Sequence, residues 1–389
     1  MFGKPYTRAV ELDMEQFTLS LTFNDVLLRP GYSGFDRADI NLQTKLTKKL
    51  ALRAPFVSAP MDTVTEARLA IALAEQGGVG IIHRNLTVEQ QAAEVKAVKD
   101  AGQLVGAAVG SSPGYESRVE ALLAAGVDVI VVDSAHGYAK KVIETVKYIK
   151  AHYDVEVMAG NVATADGAQA LIDAGADALR VGMGPGAICS TRIVSGMGVP
   201  QLSALLEIKP VALKAGVPVI ADGGLVNSGD AMKALAAGAS TIMTGSLFAA
   251  TEESPGEVTR VLADQVPARF RSILDGSEDY AFKAYRGMGS IGAMKKGLEI
   301  SSEDEFHGKS FTGDVLVAEG VEGLVPCKGT VKSFIDMWMG GLYSGMYYVG
   351  AKNIAELWES AEFIRITQAS LAESHPHDLF ITNDGGNYQ

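Results

Sequence analysis

Residues 127–161 read VDVIVVDSAHGYAKKVIETVKYIKAHYDVEVMAGN, and this stretch decides the fold. The apolar, β-branched run Val127–Asp133 is followed by Lys140–His152, where apolar and charged residues alternate at helical spacing, and then by a second apolar run, Val155–Asn161. Strands that are buried on both faces are apolar at nearly every position, whereas surface helices keep one apolar face. The stretch therefore predicts a strand, a helix and a second, parallel strand.

The same unit recurs between residues 55 and 250. Eight runs are apolar enough to be buried parallel strands: Pro55–Ala59, Gly78–Ile82, Leu104–Val109, Val127–Asp133, Val155–Asn161, Ala178–Met183, Val217–Asp222 and Ser240–Gly245. The segments between them are amphipathic, as in Glu116–Ala125 and Asp166–Ala174. Eight units in series predict an α/β fold of the TIM (β/α)8 barrel type. An open, doubly wound sheet is the alternative, and the regularity of the units favours closure.

The composition limits what the protein can be. The 389 residues are 47% apolar and 21% charged, which is typical of a folded globular chain. A formal net charge of −12 without a basic patch argues against a nucleic-acid partner, and no apolar run is long enough for a membrane span. Two cysteines cannot form a disulfide framework, and the start of the chain lacks a signal-peptide pattern, so we expect a cytoplasmic protein.

Residues 251–330 interrupt the repeat. We expect Val258–Ala281, which is charged and without a period, to be irregular. We expect residues 298–325 to form a polar flap above the catalytic face, with an ordinary loop as the alternative. Residues 331–389 predict helices on the barrel exterior and a tail. The whole chain, 1–389, is thus predicted to be a single barrel domain.

Polar and glycine residues concentrate where the predicted strands end, which is the catalytic face of a TIM barrel. The loop after the sixth strand, Gly182–Arg192, holds three glycines, followed by Cys189 and Thr191. Glycines let backbone N–H groups approach an anion, and a thiol on such a loop is a candidate nucleophile. A small buried cysteine is the alternative. Cys327 has no such glycine loop, and we expect it to be structural.

The seventh and eighth strands end in Asp222-Gly223-Gly224 and in Gly245-Ser246. TIM barrels commonly bind phosphate with the loops after these two strands. We therefore predict that Gly224, Gly245 and Ser246 bind phosphate through their backbone N–H groups. The aspartate would accept hydrogen bonds from ribose hydroxyls. Plain turns are the alternative.

Six segments together resemble the IMP dehydrogenase/GMP reductase family over most of the chain: Gly182–Arg192, Ala221–Gly224, Thr251–Gly256, Tyr285–Gly297, Glu319–Gly329 and Glu373–Asp378. The resemblance implies a TIM barrel and a homotetramer. It implies an oxidoreductase that acts at C2 of a purine nucleotide, with IMP, XMP or GMP as substrate or product, through a covalent cysteine thioimidate. It also implies NAD or NADP as the cofactor, and potassium (K+) as a further ion.

The resemblance assigns roles to individual residues. Cys189 is similar to the family's nucleophile and Thr191 to its proton-relay hydroxyl. Glu319 is similar to a residue that contacts the base, and our hypothesis is that it also carries protons with Thr191. The residues implied for nucleotide binding are Met61, Asp222, Gly223, Gly224, Gly245, Ser246, Tyr285, Gly287, Met288 and Gly289. Those implied for the nicotinamide cofactor are Asp133, Ser134, Asn161, Arg180 and Gly182. Those implied for K+ are the carbonyls of Gly184, Gly186 and Cys189, with Glu373 of a neighbouring subunit.

The sequence departs from the dehydrogenase pattern in four places. Only Asn85–Gln103 lies where dehydrogenases usually insert two CBS modules, so we expect no CBS domain. Glu303–Phe306 is acidic where the flap usually carries an Arg-Tyr pair that activates water. Ala187 stands where a phosphate-binding serine is usual, and Val258–Ala281 is longer than the usual connection.

The departures leave three functional hypotheses. A missing general base typically costs about 10²–10⁴-fold in rate, so the acidic flap favours a GMP reductase. The overall likeness favours an IMP dehydrogenase, which we rank first. A purine-nucleotide binder without catalysis is the third hypothesis, and the presence of both Cys189 and Thr191 argues against it.

Overall fold

The structure, a computed structural model, describes residues 18–300, 305–306, 309–310, 317–379 and 381. In chain order the strands are β1 (Val26–Leu28), β2 (Thr44–Lys45), β3 (Ala51–Leu52), β4 (Phe56–Ser58), β5 (Val79–Ile82), β6 (Val105–Val109), β7 (Val129–Asp133), β8 (Glu156–Val162), β9 (Ala178–Val181), β10 (Val219–Asp222), β11 (Thr241–Thr244), β12 (Val258–Leu262), β13 (Asp279–Arg286), β14 (Glu305–Phe306), β15 (Lys309–Ser310), β16 (Glu322–Pro326) and β17 (Phe363–Arg365). The α-helices are α1 (Ala67–Glu75), α2 (Val88–Asp100), α3 (Tyr115–Ala124), α4 (Lys140–His152), α5 (Ala165–Asp173), α6 (Thr191–Val194), α7 (Gln201–Ala215), α8 (Ser228–Ala236), α9 (Ser246–Ala249), α10 (Ile291–Ile300), α11 (Val331–Val349), α12 (Ile354–Ser360) and α13 (Gln368–Glu373).

Eight parallel strands, β4 to β11, close into a barrel in chain order, with β11 paired back to β4. This confirms the predicted TIM barrel. Each predicted apolar run coincides with one barrel strand to within two residues at either end. The strand register places Asp133 beside Gly160 and Gly160 beside Arg180, so three neighbouring strands reach the same level at the mouth of the barrel.

Alternate side chains of each barrel strand point to opposite sides of the barrel wall. In β7, Val129 and Val131 pack inside the barrel with Met158, whereas Ile130 and Val132 pack outward in the layer that also contains the helices. Every residue of β7 is buried, because both faces of the wall are covered. This is the physical reason for the unbroken apolar run that the sequence shows.

Local signals in the sequence begin and end the helices around the barrel. The Thr87 side chain accepts a hydrogen bond from the N–H of Gln90 at the start of α2, which satisfies a donor that has no partner within the helix. At the other end of such a helix, Gly216 terminates α7 with φ of 63°. This left-handed conformation is the one that glycine supplies at helix ends.

The C-terminal helices pack on the outside of the barrel, as predicted. Helix α11 packs against α8 and α1, and its Trp338 ring lies edge-on to Phe56 with 6.3 Å between the ring centroids. Strand β17 pairs antiparallel with β1, which places the segment before the barrel strands beside the segment after them. No helix in the described ranges, α11 included, is both long enough and apolar enough to cross a membrane.

The prediction that Val258–Ala281 is irregular is wrong at both ends of the segment, whereas residues 263–278 between the two strands contain only short 3-10 turns and loop. Strands β12, β13 and β16 form a three-stranded antiparallel sheet, in which Thr259 lies opposite Phe282. Most of β12 is exposed, while Tyr280 and Phe282 of β13 are buried beneath the sheet. Polar and charged residues such as Thr259, Arg260 and Lys283 interrupt the strands, so no continuous apolar run marks them.

The predicted flap, residues 298–325, differs from the structure at both boundaries, because its first three residues form the end of α10. The last residues of this range belong to β16, which is paired with β13. Within the range, β14 pairs with β15. Of the acidic segment, Glu303 and Asp304 lie outside the described residues.

The buried barrel wall gives a prediction about stability. Replacement Ile130→Ala, at a fully buried position of β7, is expected to lower the free energy of unfolding by about 2–5 kcal/mol, because it leaves a cavity between strand and helix. The matched control is Ile364→Ala on β17, where the side chain is 43% exposed, and its expected change is within about 0.5 kcal/mol. Urea unfolding of both variants measures the difference. Equal losses would contradict the assignment of Ile130 to the packed layer.

Candidate active site

The loop that follows β9 is shaped by glycine. Gly182 and Gly184 have φ angles of 151° and 80°, in the region that residues with a side chain disfavour. A Cβ on Gly182 would lie 2.2 Å from the carbonyl oxygen of Asp222, so glycine is required where this loop passes the end of β10. The loop then turns with a hydrogen bond of 3.0 Å from the Cys189 N–H to the Gly186 carbonyl and enters α6.

A thiol, a hydroxyl and a carboxylate lie in a row at the mouth of the barrel. The Cys189 thiol donates to Thr191 Oγ1 at 3.2 Å, and the Thr191 hydroxyl donates to Glu319 Oε2, also at 3.2 Å. Glu319 comes from a segment 128 residues after Thr191. The structure thus brings together the three residues predicted to be catalytic, in an order that allows a proton to pass from the sulfur towards the carboxylate.

Backbone hydrogen bonds hold the segment of Glu319 on both of its edges. We call residues 319–321 the central strip. Its four bonds run from Ser190 N–H to Glu319 O (3.1 Å), from Val321 N–H to Ile188 O (2.9 Å), from Gly287 N–H to Val321 O (3.0 Å) and from Glu319 N–H to Gly289 O (3.1 Å). The central strip therefore lies between the cysteine loop and the loop predicted to bind a purine base, and it fixes the distance between them.

Several side chains predicted to surround a nucleotide meet at one point of the mouth. A Cβ on Gly245 would lie 2.8 Å from both Met61 Sδ and Tyr285 Oη. The C-terminal ends of β4, β11 and β13 therefore converge there. Tyr285 is buried, and burial raises the pKa of its hydroxyl, with Asp222 and Cys189 adding to the increase. The phenol therefore keeps its proton at neutral pH and can donate it in a hydrogen bond to an anion.

Asp222 is held at the end of β10 by two donors. Its Oδ2 accepts hydrogen bonds from Arg180 Nη2 and Asn161 Nδ2, both at 2.8 Å. No hydrogen bond from the described residues reaches Oδ1, which can accept one from a ligand. Gly223 and Gly224 follow with φ angles of 86° and 77°, so the backbone turns sharply just after the carboxylate.

Arg180 connects the predicted cofactor side of the mouth to the predicted ribose side. Its side chain is buried, with Nη1 2.5 Å from Asp133 Oδ1 and Nη2 bound to Asp222. Burial alone would lower the pKa of Arg180, but the two carboxylates outweigh it and raise the pKa. Asn161 also donates to the Gly182 carbonyl at 3.0 Å. The Asn161 N–H donates to the Ser134 carbonyl at 2.7 Å, so all five residues predicted for the cofactor belong to one network, and their contact with a cofactor stays a prediction.

The loop predicted to bind the base contributes a buried thioether. Met288 is buried and packs against Met61, which follows β4. On either side of Met288, Gly287 and Gly289 bind the central strip through their backbone groups. The predicted base-binding residues are thus adjacent to one another and to Glu319, although the structure does not show which atoms contact a base.

Glu373 takes no part in these contacts, whereas Ser134 joins them through its backbone, because its carbonyl accepts a hydrogen bond from the Asn161 N–H at 2.7 Å. Ser134 is buried after β7, and its hydroxyl oxygen accepts a hydrogen bond from the His136 N–H at 3.2 Å. Glu373 is exposed on α13. The cofactor contact of Ser134 and the subunit contact of Glu373 stay predictions.

An ion pair at the mouth was missed by the reasoning from sequence. Arg286 donates through Nε at 3.1 Å and through Nη2 at 2.5 Å to the two oxygens of Asp62, and Asn85 Nδ2 donates to Asp62 at 2.8 Å. Burial raises the pKa of Asp62, but Arg286 and Asn85 outweigh burial and lower it. The sequence does carry a signal, because the acid follows Met61 and the base follows Tyr285, both predicted nucleotide contacts.

Arg192 was also missed as a structural element of the cysteine loop. Its Nη2 donates to the Val199 carbonyl at 2.7 Å and to the Met183 carbonyl at 3.4 Å. A Cβ on Gly184 or Gly198 would lie within 2.7 Å of the Arg192 side chain, which therefore fills the inside of the loop. The sequence alone gives an arginine at the end of a glycine motif and no hint of this internal position.

Comparison with known proteins identifies the family. A family model described as the IMP dehydrogenase / GMP reductase domain matches residues 20–377. The chain belongs to this family. It is 40% identical to the inosine-5'-monophosphate dehydrogenase of Aquifex aeolicus, over 95% of this chain and 97% of the relative. It is 41% identical to the enzyme of the same name from Cryptosporidium parvum, again over 95% and 97%, and 37% identical to that of Rhodopirellula baltica, over 100% and 92%.

The aligned lengths differ among these relatives of the family. The comparison with the Aquifex protein spans 497 positions and this chain has 389 residues, so at least 108 of those positions face gaps in this chain. The comparison with the Cryptosporidium protein spans 411 positions. In this chain β5 and β6 are joined by α2 and its flanking turns, in residues 83–104, all of which the structure describes.

The Arg180 network gives a prediction about stability. Replacement Arg180→Met is expected to lower the free energy of unfolding by about 3–5 kcal/mol, because it removes the cation between two buried carboxylates. The control is Arg260→Met, which breaks an exposed pair with Asp279 on the antiparallel sheet and is expected to cost less than about 1 kcal/mol. Urea unfolding followed by tryptophan fluorescence measures both. A loss no larger than that of the control would show that Arg180 is not the link between the carboxylates.

Proposed function

We propose that this family member is an IMP dehydrogenase, which converts IMP, water and NAD to XMP and NADH. The observation that carries the proposal is the row of Cys189, Thr191 and Glu319 at 3.2 Å spacings beside the glycine loops of the mouth. The relatives that the chain resembles over nearly its whole length bear the name inosine-5'-monophosphate dehydrogenase. A nucleotide binder without catalysis would need neither the thiol nor the hydroxyl.

The nucleotide would bind with its phosphate at the ends of β10 and β11. Backbone N–H groups of Gly224, Gly245 and Ser246 can bind the phosphate oxygens, as loops in this place do in many barrels. The protonated hydroxyl of Tyr285, which lies next to Gly245, can donate a further hydrogen bond. Asp222, with one oxygen already bound to Arg180 and Asn161, would accept from the ribose hydroxyls through the other.

The base would then lie between the cysteine loop and the segment Gly287–Gly289, with Met61 and Met288 as apolar contacts. The Cys189 sulfur adds to C2 of IMP, and its proton passes to Thr191 and Glu319. The hydride at C2 then departs with its electron pair, which oxidises that carbon and leaves a thioimidate between C2 and the sulfur. Water adds to C2, the carbon–sulfur bond breaks, and XMP is released with the thiol restored.

The nicotinamide dinucleotide supplies the hydride acceptor when it is bound. We propose NAD rather than NADP, with Asp133, Ser134, Asn161, Arg180 and Gly182 on its side of the mouth. The chemistry of this set fits the group, because the Asp133 carboxylate, which is fixed by Arg180, can accept hydrogen bonds from ribose hydroxyls. Arg180 is buried, so its role would be to hold Asp133 in place.

We also propose that the cysteine loop binds K+ through the carbonyls of Gly184, Gly186 and Cys189. Neutral backbone oxygens suit a weakly polarising monovalent cation. Within the described chain the carbonyls of Gly184 and Cys189 accept no hydrogen bond, so both have lone pairs for an ion, and that of Gly186 has one beside its bond to the Cys189 N–H. The ion would hold the loop in shape, with Glu373 of a neighbouring subunit in a homotetramer.

GMP reductase is the second candidate, in which GMP and NADPH yield IMP, ammonia and NADP. The acidic segment Glu303–Phe306 favours it, because the water-activating Arg-Tyr pair is needed for hydrolysis and has no counterpart there. In this direction the Cys189 sulfur adds to C2 and ammonia leaves, a hydride from NADPH then adds to C2 and the carbon–sulfur bond breaks, so no water has to be activated. The homology to proteins named as dehydrogenases places this candidate second.

Both cysteine thiols are free, and we propose a cytoplasmic enzyme in either case.

A paired assay tests the proposal. The protein is given IMP with NAD, and separately GMP with NADPH, while the absorbance of the reduced nicotinamide is followed. Formation of XMP with NADH supports the dehydrogenase. Consumption of NADPH with release of ammonia would replace it by the reductase. No turnover in either mixture, with tight IMP binding in calorimetry, would leave a binder only.

Replacement of the nucleophile is the sharpest mutational test. Cys189→Ala is expected to lower kcat by about 10⁴-fold or more, because no covalent bond to C2 can form, while IMP still binds. The control is Cys327→Ala, which removes the other cysteine and is expected to leave turnover within about twofold. Mass spectrometry of the parent during turnover should show a purine adduct on Cys189. A Cys189→Ala variant as fast as its parent would refute the mechanism.

Proton transfer through Thr191 gives a second mutational prediction. Thr191→Val keeps the shape of the side chain but removes the hydroxyl between sulfur and carboxylate, and it is expected to lower kcat by about 10²–10⁴-fold. Thr191→Ser restores the hydroxyl and is expected to lie within about tenfold of the parent. Steady-state rates of the three proteins decide the matter. Equal rates for the valine and serine variants would exclude Thr191 from the proton path.

A further inference from the structure

The loop proposed to bind the purine base is attached to the barrel by a buried ion pair. The Asp62 side chain, which follows β4, is fully buried, and Arg286 at the end of β13 is 23% exposed. Two nitrogens of Arg286 bind the two oxygens of Asp62, at 3.1 Å and 2.5 Å. Such a two-point contact between planar groups fixes their relative orientation as well as their distance.

Further contacts between the same two segments surround the pair. The Arg286 N–H donates to Thr63 Oγ1 at 3.2 Å, and the Asp62 N–H contacts Met288 Sδ at 3.4 Å. Asn85, at the end of β5, donates to Asp62 at 2.8 Å and to the Ala293 carbonyl in α10 at 3.3 Å. The ends of two barrel strands thus hold residues before and after the proposed base contacts.

Arg286 also approaches the strand that follows the central strip. The Gly292 N–H donates to Glu322 Oε1 at 2.6 Å, and a Cβ on Gly292 would lie 2.7 Å from that oxygen and 3.0 Å from Arg286 Nη1. The guanidinium therefore lies between the Asp62 carboxylate of the barrel and the Glu322 carboxylate of β16. If Asp62 lost its charge, Glu322 would remain as a competing anion, and the arginine would be drawn away from the barrel.

We propose that Asp62 and Arg286 are positioning residues for the purine base. The pair sets the place of Gly287–Gly289 relative to Cys189, and so it controls nucleotide affinity while leaving cofactor affinity nearly unchanged. On the cofactor side, Asp133 is held by a different buried arginine, Arg180. The proposal rests on the proposed nucleotide site and adds two residues that do not touch the nucleotide themselves.

Replacement Asp62→Asn tests this, because it keeps the shape of the side chain and removes the charge. We expect the dissociation constant for IMP, measured by calorimetry, and the KM for IMP to rise by about tenfold, which corresponds to about 1.4 kcal/mol. The KM for NAD is expected to change by less than about threefold. The matched control is Asp279→Asn on the same strand as Arg286, whose exposed pair with Arg260 spans 3.1 Å. It should change neither constant.

A second variant covers the case in which Asp62→Asn does not fold. Arg286→Lys keeps a positive charge between the two carboxylates but cannot bind both oxygens of Asp62, so it should weaken IMP binding in the same selective way. Unchanged IMP affinity in a folded variant would overturn the proposal. A parallel rise in the IMP and NAD constants would also overturn it, because that result indicates general loosening.

Measurements on the parent protein distinguish failure of the proposed function from failure of the positioning role. If the parent does not oxidise IMP, the proposed function fails, whatever the variants do. If the parent binds and oxidises IMP and the variants bind it equally well, only the positioning role fails.

Discussion

The backbone hydrogen bonds along the central strip are the contact on which the arrangement of the site depends. The barrel places the cysteine loop, and a separate antiparallel sheet carries the loop proposed to bind the base. Residues 319–321 bind both through four hydrogen bonds and in the same segment deliver Glu319 to Thr191. Because these bonds use the main chain, they fix the spacing of the two loops independently of most side chains. The positions of the proposed catalytic residues thus depend on backbone pairing that lies outside the barrel wall.

Buried charges at the mouth then set the direction of individual side chains. Arg180 holds two carboxylates on one side, and Asp62 holds Arg286 on the other. Burying an ion is costly unless it is paired and hydrogen-bonded, so each of these groups is confined to a narrow range of positions. A site that adds a sulfur to one ring carbon needs such confinement, because small displacements of the reacting atoms reduce the rate steeply.

The barrel was predictable from the sequence because its strands are buried on both faces, which leaves unbroken apolar runs such as that of β7. The antiparallel sheet was not, since exposed residues interrupt the pattern of β12. Cys189 and Thr191 lie on a loop whose three glycines can be recognised in the sequence without knowledge of distant contacts. Glu319 was found through family resemblance alone, and the pairing of Asp62 with Arg286 was missed, because contacts between residues 224 positions apart leave no periodic trace.

The pairing that closes the barrel also constrains how the chain can fold. Strand β4 has no neighbour on one edge until β11 arrives, since Phe56 is paired with Ile242. Contacts between residues so distant along the chain make folding slow, and an unpaired apolar edge is prone to association with other chains. During synthesis the first seven barrel strands must therefore emerge from the ribosome with that edge uncovered. In the finished barrel β11 covers this edge of β4, and the eight-stranded sheet has no edge strand.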